Sequence, residues 1–301
     1  VNSPIPLIID TDVALGVHHE GRPRDIDDGF AIAEALNSPL LDLRLVSTVF
    51  GNAPQAAVFE VANEIIALKD AVVPVLRGAA TPMSKDKSTN DAVEGMARLL
   101  REEPCAIAAI GPLTNMGLLA HHHPDAFARI TQLIIVAGRS KDARFYIGDT
   151  GPVQDFNFEN DVAAAQLMLA SAAPGTRVVL AGFELTSQVC VTEADLAVIA
   201  RRGTDVASYF HDRSLAWCRY WTTTFPQDQG FHPWDSAAIA WLKHPEYFVA
   251  QALGWRITPR PRGASWLECD AAFDGQRIEY CTGFAPSGAS AFIQDVVDSV
   301  Y

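Results

Sequence analysis

The stretch Pro6-Leu7-Ile8-Ile9-Asp10-Thr11-Asp12 decides the fold. Pro6–Ile9 reads as a short buried strand, and the strand runs straight into acid. Downstream, apolar runs with strand character alternate with helical stretches. Leu43–Val49, Val73–Leu76, Ala106–Ile110, Gln132–Val136 and Arg177–Ala181 read as strands. Asp28–Leu36, Pro54–Leu68, Ala92–Arg101, Met116–His121 and Val162–Ser171 read as helices between them. Strand-then-helix alternation predicts an α/β fold: an open, mostly parallel sheet with helices on both faces. The second half is less regular. Glu193–Arg202, Val206–Trp221, Ala237–Leu242 and Ala289–Val300 read as helices, and the segment from Gly254 to Cys281 as a β-meander. No repeat or linker interrupts the chain, so 1–301 is expected to be one catalytic domain. The longest irregular stretches are 13–25, 138–154 and 222–233; loops of that length in a compact domain are usually functional.

In parallel α/β sheets, ligands sit beyond the carboxyl ends of the strands. Asp10 and Asp12 end the first strand, and Asp25, Asp27 and Asp28 precede the next helix. One or two of these aspartates could simply cap that helix. Five aspartates within nineteen residues exceed what capping requires, and clustered like charges repel unless a cation neutralises them. An all-oxygen donor set suits Ca²⁺ or Mg²⁺ rather than zinc.

Composition narrows the classes further. The formal net charge is -13, which disfavours nucleic-acid backbones as partners. The five cysteines are widely spaced without a CxxC pair, which argues against zinc ribbons and a disulfide framework and for reduced thiols. No apolar run is long enough for a membrane span, and the N-terminal stretch lacks a basic leader pattern. A soluble, cytoplasmic protein is expected.

Beyond the acidic cluster, short segments recur in a fixed order: Phe50-Gly51-Asn52, Arg77-Gly78-Ala79, Ile110-Gly111-Pro112-Leu113-Thr114-Asn115, Asp155-Phe156-Asn157 followed by Asp161, and Trp234-Asp235-Ser236-Ala237. Together with Asp10-Thr11-Asp12 and Asp27-Asp28, these resemble the inosine–uridine-preferring nucleoside hydrolase family from residue 5 to about 248. The resemblance implies a Rossmann-like sheet with a Ca²⁺ at the strand ends. It implies Asp12, Asp28 and Asp235 as carboxylate ligands, with the backbone carbonyl of Ile110. It further implies Asp12 as general base, Asp27 and Asn157 on the ribose 2′-hydroxyl, and Asn52 orienting water and ribose. Asp149 and Asp155 fall on the 5′-hydroxyl side, and Asp10 becomes a supporting group behind the ligands. Cleavage of an N-glycosidic bond passes through an oxocarbenium-like state, and acid with a cation on one face of the sugar suits it. The base on the other face calls for aromatic walls. A homodimer or homotetramer is the family's usual assembly.

Three departures from the family pattern stand out. Val13–Ile26, carrying His18, His19, Glu20, Arg22 and Arg24, replaces a short link inside the acidic motif. It is read as a surface excursion that leaves the metal site unchanged and borders the pocket mouth, since both its ends lie in the site. Trp234 stands where pyrimidine-tolerant members carry a leaving-group His; a Trp there resembles the purine-preferring group, so purine nucleosides are expected, with a core Trp as the alternative. Acid at Asp149 and Asp155 disfavours phosphorylated substrates. Elsewhere, His121–His123 reads as a solvated helix end, and Tyr209, Trp217, Tyr220 and Trp221 as a helical stripe that is mainly core. Two rival functions are a haloacid-dehalogenase-like, Mg²⁺-dependent phosphatase, which shares the Asp-x-Asp opening, and a non-catalytic nucleoside- or ribose-binding protein.

Overall fold

The computed structural model describes residues 3–149 and 151–301. One ten-stranded sheet organises the chain. Its strand order is Val75–Arg77, Leu41–Thr48, Ile5–Thr11, Ala106–Ala109, Gln132–Ile135, Arg177–Leu180, Arg277–Phe284, Phe248–Pro259, Ser265–Asp270 and Arg139–Ser140. The first seven run parallel, and Phe248–Pro259 pairs antiparallel with both its neighbours. The open, mostly parallel sheet expected from the sequence is therefore present.

Alternation along the strands divides the core in two. Leu7 and Ile9 face one way with Ala106, Ala108 and Ile134, against the helices Asp27–Asn37, Gln55–Leu68 and Ser236–Lys243. Ile8 faces the other way with Ile107, Leu133 and Ile135, against Asp91–Glu102, Thr114–His122 and Val162–Ser171. Helices thus cover both faces, as near-continuous apolar strands require.

The C-terminal strands correct one expectation. A meander would place Ser265–Asp270 between its two neighbours in sequence. Instead Phe248–Pro259 lies in the middle, and Arg277–Phe284 crosses back to pair with Arg177–Leu180. The last strand carries Ile278, Tyr280 and Cys281, all buried, so it takes the inner position. The Val13–Ile26 insert is a small hairpin, His18–His19 with Arg22–Pro23. Its two-residue turn, Glu20-Gly21, has φ of 53° and 77°, the positive pair that joins twisted strands tightly. Among the described residues no helix is long and apolar enough to cross a membrane.

Candidate active site

The site forms where the first strand ends. Asp10 is fully buried and accepts from Ser47 Oγ (2.6 Å) and Asn115 Nδ2 (2.8 Å). The same Asn115 nitrogen donates to the Thr48 carbonyl at 3.1 Å, so Asp10 ties the ends of two strands to the first turn of Thr114–His122. Asp12, two residues on, accepts from the Asn52 backbone N–H at 2.6 Å through Oδ2. Its Oδ1 is buried without a hydrogen-bond partner among the described residues.

Two helix N-termini deliver the remaining acids. Asp27 and Asp28 occupy the first turn of Asp27–Asn37, whose N-cap is Ile26 and makes no side-chain cap bond. Capping is therefore not what the pair does. Asp28 Oδ1 accepts from Thr11 Oγ1 and from the Asp12 backbone N–H, while its Oδ2 is a second buried oxygen without a partner. Asp27 Oδ2 accepts from the backbone N–H of Asp235 at 2.9 Å, and Asp235 is the N-cap residue of Ser236–Lys243. One carboxylate oxygen each of Asp27, Asp28 and Asp235 lie within 4.8 Å of one another. The positive ends of both helices favour negative charge here, yet burial outweighs them. It is the leading cause that holds Asp12, Asp27 and Asp235 well above the ordinary carboxylate range, with mutual repulsion adding to it. Asp28 and Asp10 are each pushed up to about 7, again chiefly by burial. Such a cluster stays ionised at neutral pH only with a cation among it. The orphaned oxygens on Asp12 and Asp28 and the all-oxygen donor set fit a hard divalent ion.

A cavity of about 410 Å³ opens over this cluster. Asp12, Asp27, Asn52, Ile110, Asp155, Asn157, Trp234 and Asp235, all expected from the sequence, line it. Asp28 lies buried beside them, within the carboxylate cluster. Asn157 Nδ2 donates to the carbonyls of Ile110 (3.0 Å) and Val136 (3.1 Å), which leaves its amide oxygen to accept from a ligand hydroxyl. Asp155 accepts from the Gly138 N–H at 2.8 Å, and burial raises its carboxyl to about 7 despite the nearby Arg139. Asp149 does not join them. It is exposed and is not among the residues that line the cavity, although Ile147, two residues before it, is.

The opposite wall is aromatic. Phe145, Phe183 and Trp234 form a continuous stack, with centroids 4.4 Å and 5.0 Å apart and interplanar angles of 16° and 14°. Trp217, Tyr220 and Trp221 from the helix Asp205–Thr224 complete the wall. That stripe was expected to be mainly core; these three line the cavity, whereas Tyr209 bonds to Glu64 elsewhere. Sequence reasoning did not single out Phe145 or Phe183. The available signal for Phe145 was its place in the irregular stretch 138–154, and for Phe183 its place just past the carboxyl end of Arg177–Leu180. The insert reaches the cavity too, through Arg22, Arg24 and Asp25, so its expected place at the mouth is found.

Comparison with known proteins agrees with this architecture. The family model described as inosine-uridine preferring nucleoside hydrolase matches residues 7–278. A relative from Salmonella enteritidis named non-specific ribonucleoside hydrolase RihC is 29% identical, over 84% of this chain and 83% of its own. A purine-preferring ribonucleoside hydrolase from Gardnerella vaginalis superposes with a TM-score of 0.81 at 19% identity, covering 98% of this chain and 97% of its own. A plant nucleoside hydrolase gives 0.80 at 19% identity over 98% of each chain. With the family model spanning the acidic cluster, the aromatic wall and most of the sheet, the chain belongs to the inosine-uridine preferring nucleoside hydrolase family.

Proposed function

We propose that the chain hydrolyses the N-glycosidic bond of ribonucleosides to ribose and free base, with Ca²⁺ as cofactor and purine nucleosides preferred. One observation carries this reading. Buried carboxylate oxygens without partners, one on Asp12 in the cavity wall and one on Asp28 in the cluster beside it, lie under a cavity whose other wall is a stack of aromatic rings. A ribose needs the first surface and a nucleobase the second.

Asp12, Asp28 and Asp235, with the Ile110 carbonyl, would hold the cation, and Asp27 stands close enough to share in it. When bound, the ion supplies positive charge to the cluster and Lewis acidity toward water and the ribose diol. The chain's own residues do the rest. Asp12 takes the proton of the attacking water, its carboxylate aimed by the Asn52 N–H. Asn52 borders the same space and orients water and sugar. Asp27 and the amide oxygen of Asn157 share the single proton of the 2′-hydroxyl between them. These bonds strengthen as the ring approaches the oxocarbenium state and so lower its barrier more than that of the ground state. Asp155 meets the 5′-hydroxyl. Trp234, stacked on Phe183, flanks the base, and a bicyclic purine covers more of that stack than a pyrimidine does.

The test is release of free base and reducing sugar from inosine, guanosine, adenosine, uridine and cytidine, with Ca²⁺ and with a chelator. Metal-dependent release, faster for the purine nucleosides, is expected. No release from any of them while Ca²⁺ is bound would point to a binding protein, and phosphate release from phosphomonoesters to a phosphatase.

A further inference from the structure

Arg22 and Arg24 are the cations lining the cavity among its described residues, and both come from the hairpin insert. Arg24 is buried, and its Nη2 pairs at 2.5 Å not with the acidic cluster but with Glu20, which is 72% exposed at the hairpin tip. Its Nε is buried without a hydrogen-bond partner among the described residues. Neutralising the carboxylates therefore does not account for it. Arg22 reaches across the mouth, with Nη1 3.3 Å from the hydroxyl of Tyr220. Tyr220 in turn stacks on Trp217. Arg22 thus stands against the aromatic wall, and Arg24, two residues on, lines the same cavity.

We propose that Arg24, assisted by Arg22, reads the acceptor edge of a 6-oxopurine and stabilises it as the leaving group. The inference rests on the nucleoside hydrolase reading above. A guanidinium donates through a rigid fork that matches the O6 and N7 acceptors of guanine or hypoxanthine. Adenine presents an amino donor at O6's place, so the same fork meets a donor there. In the bond-breaking step the water oxygen bonds to C1′ and one water proton passes to Asp12. The C1′–N9 electron pair leaves with the base and spreads toward N7 and O6. The arginines hold that charge by hydrogen bonds and transfer no proton; the base takes its proton from solvent. Trp234 cannot act as the leaving-group acid, so a fixed cation at the base edge supplies the missing stabilisation.

The experiment measures kcat/KM of the Ca²⁺-loaded enzyme and its R24M, R24K and R22M variants on inosine, guanosine, adenosine and 4-nitrophenyl riboside. The nitrophenolate leaves without help, so it reports the sugar site alone. In R24M the ratio of inosine to 4-nitrophenyl riboside hydrolysis should fall roughly 10- to 100-fold, the size of a lost charge-assisted hydrogen bond. The fall should be carried by kcat, with guanosine following inosine and adenosine much less affected. R24K, which keeps the charge and loses the fork, should lie between, and R22M should show the same sign with a smaller size. Equal losses on all four substrates would overturn the assignment, as would no loss on any. So would inosine 5′-monophosphate cleaved faster than inosine with that preference lost in R24M, since the arginines would then bind phosphate. Wild-type enzyme inert toward every substrate would instead overturn the underlying hydrolase reading and this inference with it.

Discussion

Gly51 offers a way to move Asp12 without altering it. A Cβ built on Gly51 would lie 2.0 Å from Asp12 Oδ2 and 2.7 Å from its Cγ. Contacts below about 3 Å are not tolerated, so in Gly51→Ala the carboxylate or the loop must give way by roughly 1 Å. The bond at stake is the 2.6 Å donation from the Asn52 N–H to that oxygen, next door to the substituted residue. A hydrogen bond to a charged group contributes about 1.5–3 kcal/mol, and misplacing a reacting group by about 1 Å costs roughly a hundredfold in rate. Gly51→Ala is therefore expected to lower kcat for inosine about 10- to 100-fold, with KM changing less. Overpacking costs about 1–3 kcal/mol of stability, which leaves the protein folded. Gly175→Ala, where the added Cβ meets nothing within 4 Å, is the control. Steady-state kinetics with saturating Ca²⁺ and a thermal melt of each variant decide the matter. If Gly51→Ala keeps kcat within about threefold of wild type while the control behaves, Asp12 is not the group whose position limits the reaction.

Three further outcomes follow from the same geometry. Asp10 and Asp28 are raised from 3.8 to about 7 in the folded chain. Between those values the unfolded chain has lost protons that the metal-free fold keeps. Through these two groups the metal-free protein therefore loses stability as pH rises from about 4 to about 7. Ca²⁺ competes with those protons, so the rise in Tm on adding Ca²⁺ should grow from about pH 5 to about pH 8, and an increment independent of pH would count against a metal at this cluster. Asp28→Asn removes one buried charge and its repulsion with Asp27. It should raise the metal-free Tm at neutral pH while abolishing the Ca²⁺ increment, as calorimetry with and without chelator would show. Trp234→Leu breaks the stack on Phe183. Base–aromatic stacking contributes about 1–3 kcal/mol, so kcat/KM for inosine should drop about 10- to 100-fold and that for uridine clearly less, read from parallel progress curves.

The acidic half of the site was legible because it is nearly contiguous in the chain. A strand that ends in Asp10-Thr11-Asp12 and a helix that begins with Asp27-Asp28 must bring carboxylates to the same sheet edge, since the parallel pairing of Ile5–Thr11 with Leu41–Thr48 fixes where both lie. Asp235 was legible only by resemblance, because 207 residues separate it from Asp28. The aromatic half was hidden for a physical reason. Phe145 and Trp234 lie in connections and Phe183 opens the one-turn helix Phe183–Thr186, and neither a loop nor a single turn carries a periodicity that would show their rings to be parallel. The order of the last three strands was hidden likewise, as local alternation marks a strand but not its partner.

The insert joins these two halves of the site. Splitting an acidic motif with a hairpin would be expected to loosen it, yet Asp12 and Asp28 remain hydrogen-bonded across the split, through the Asp12 N–H and Thr11. The contact is possible because the turn at Glu20-Gly21 folds the added residues outward and returns the chain beside its starting point, with Arg24 N–H bonded to the Val17 carbonyl at 2.9 Å. The carboxylates are thus held by bonds that the insertion leaves intact, and the added segment spends its length at the cavity mouth. There it brings Arg22 to the hydroxyl of Tyr220 and Arg24 into the wall of the same cavity. Variation confined to such a hairpin would alter which base is accepted while leaving the chemistry at the ribose untouched.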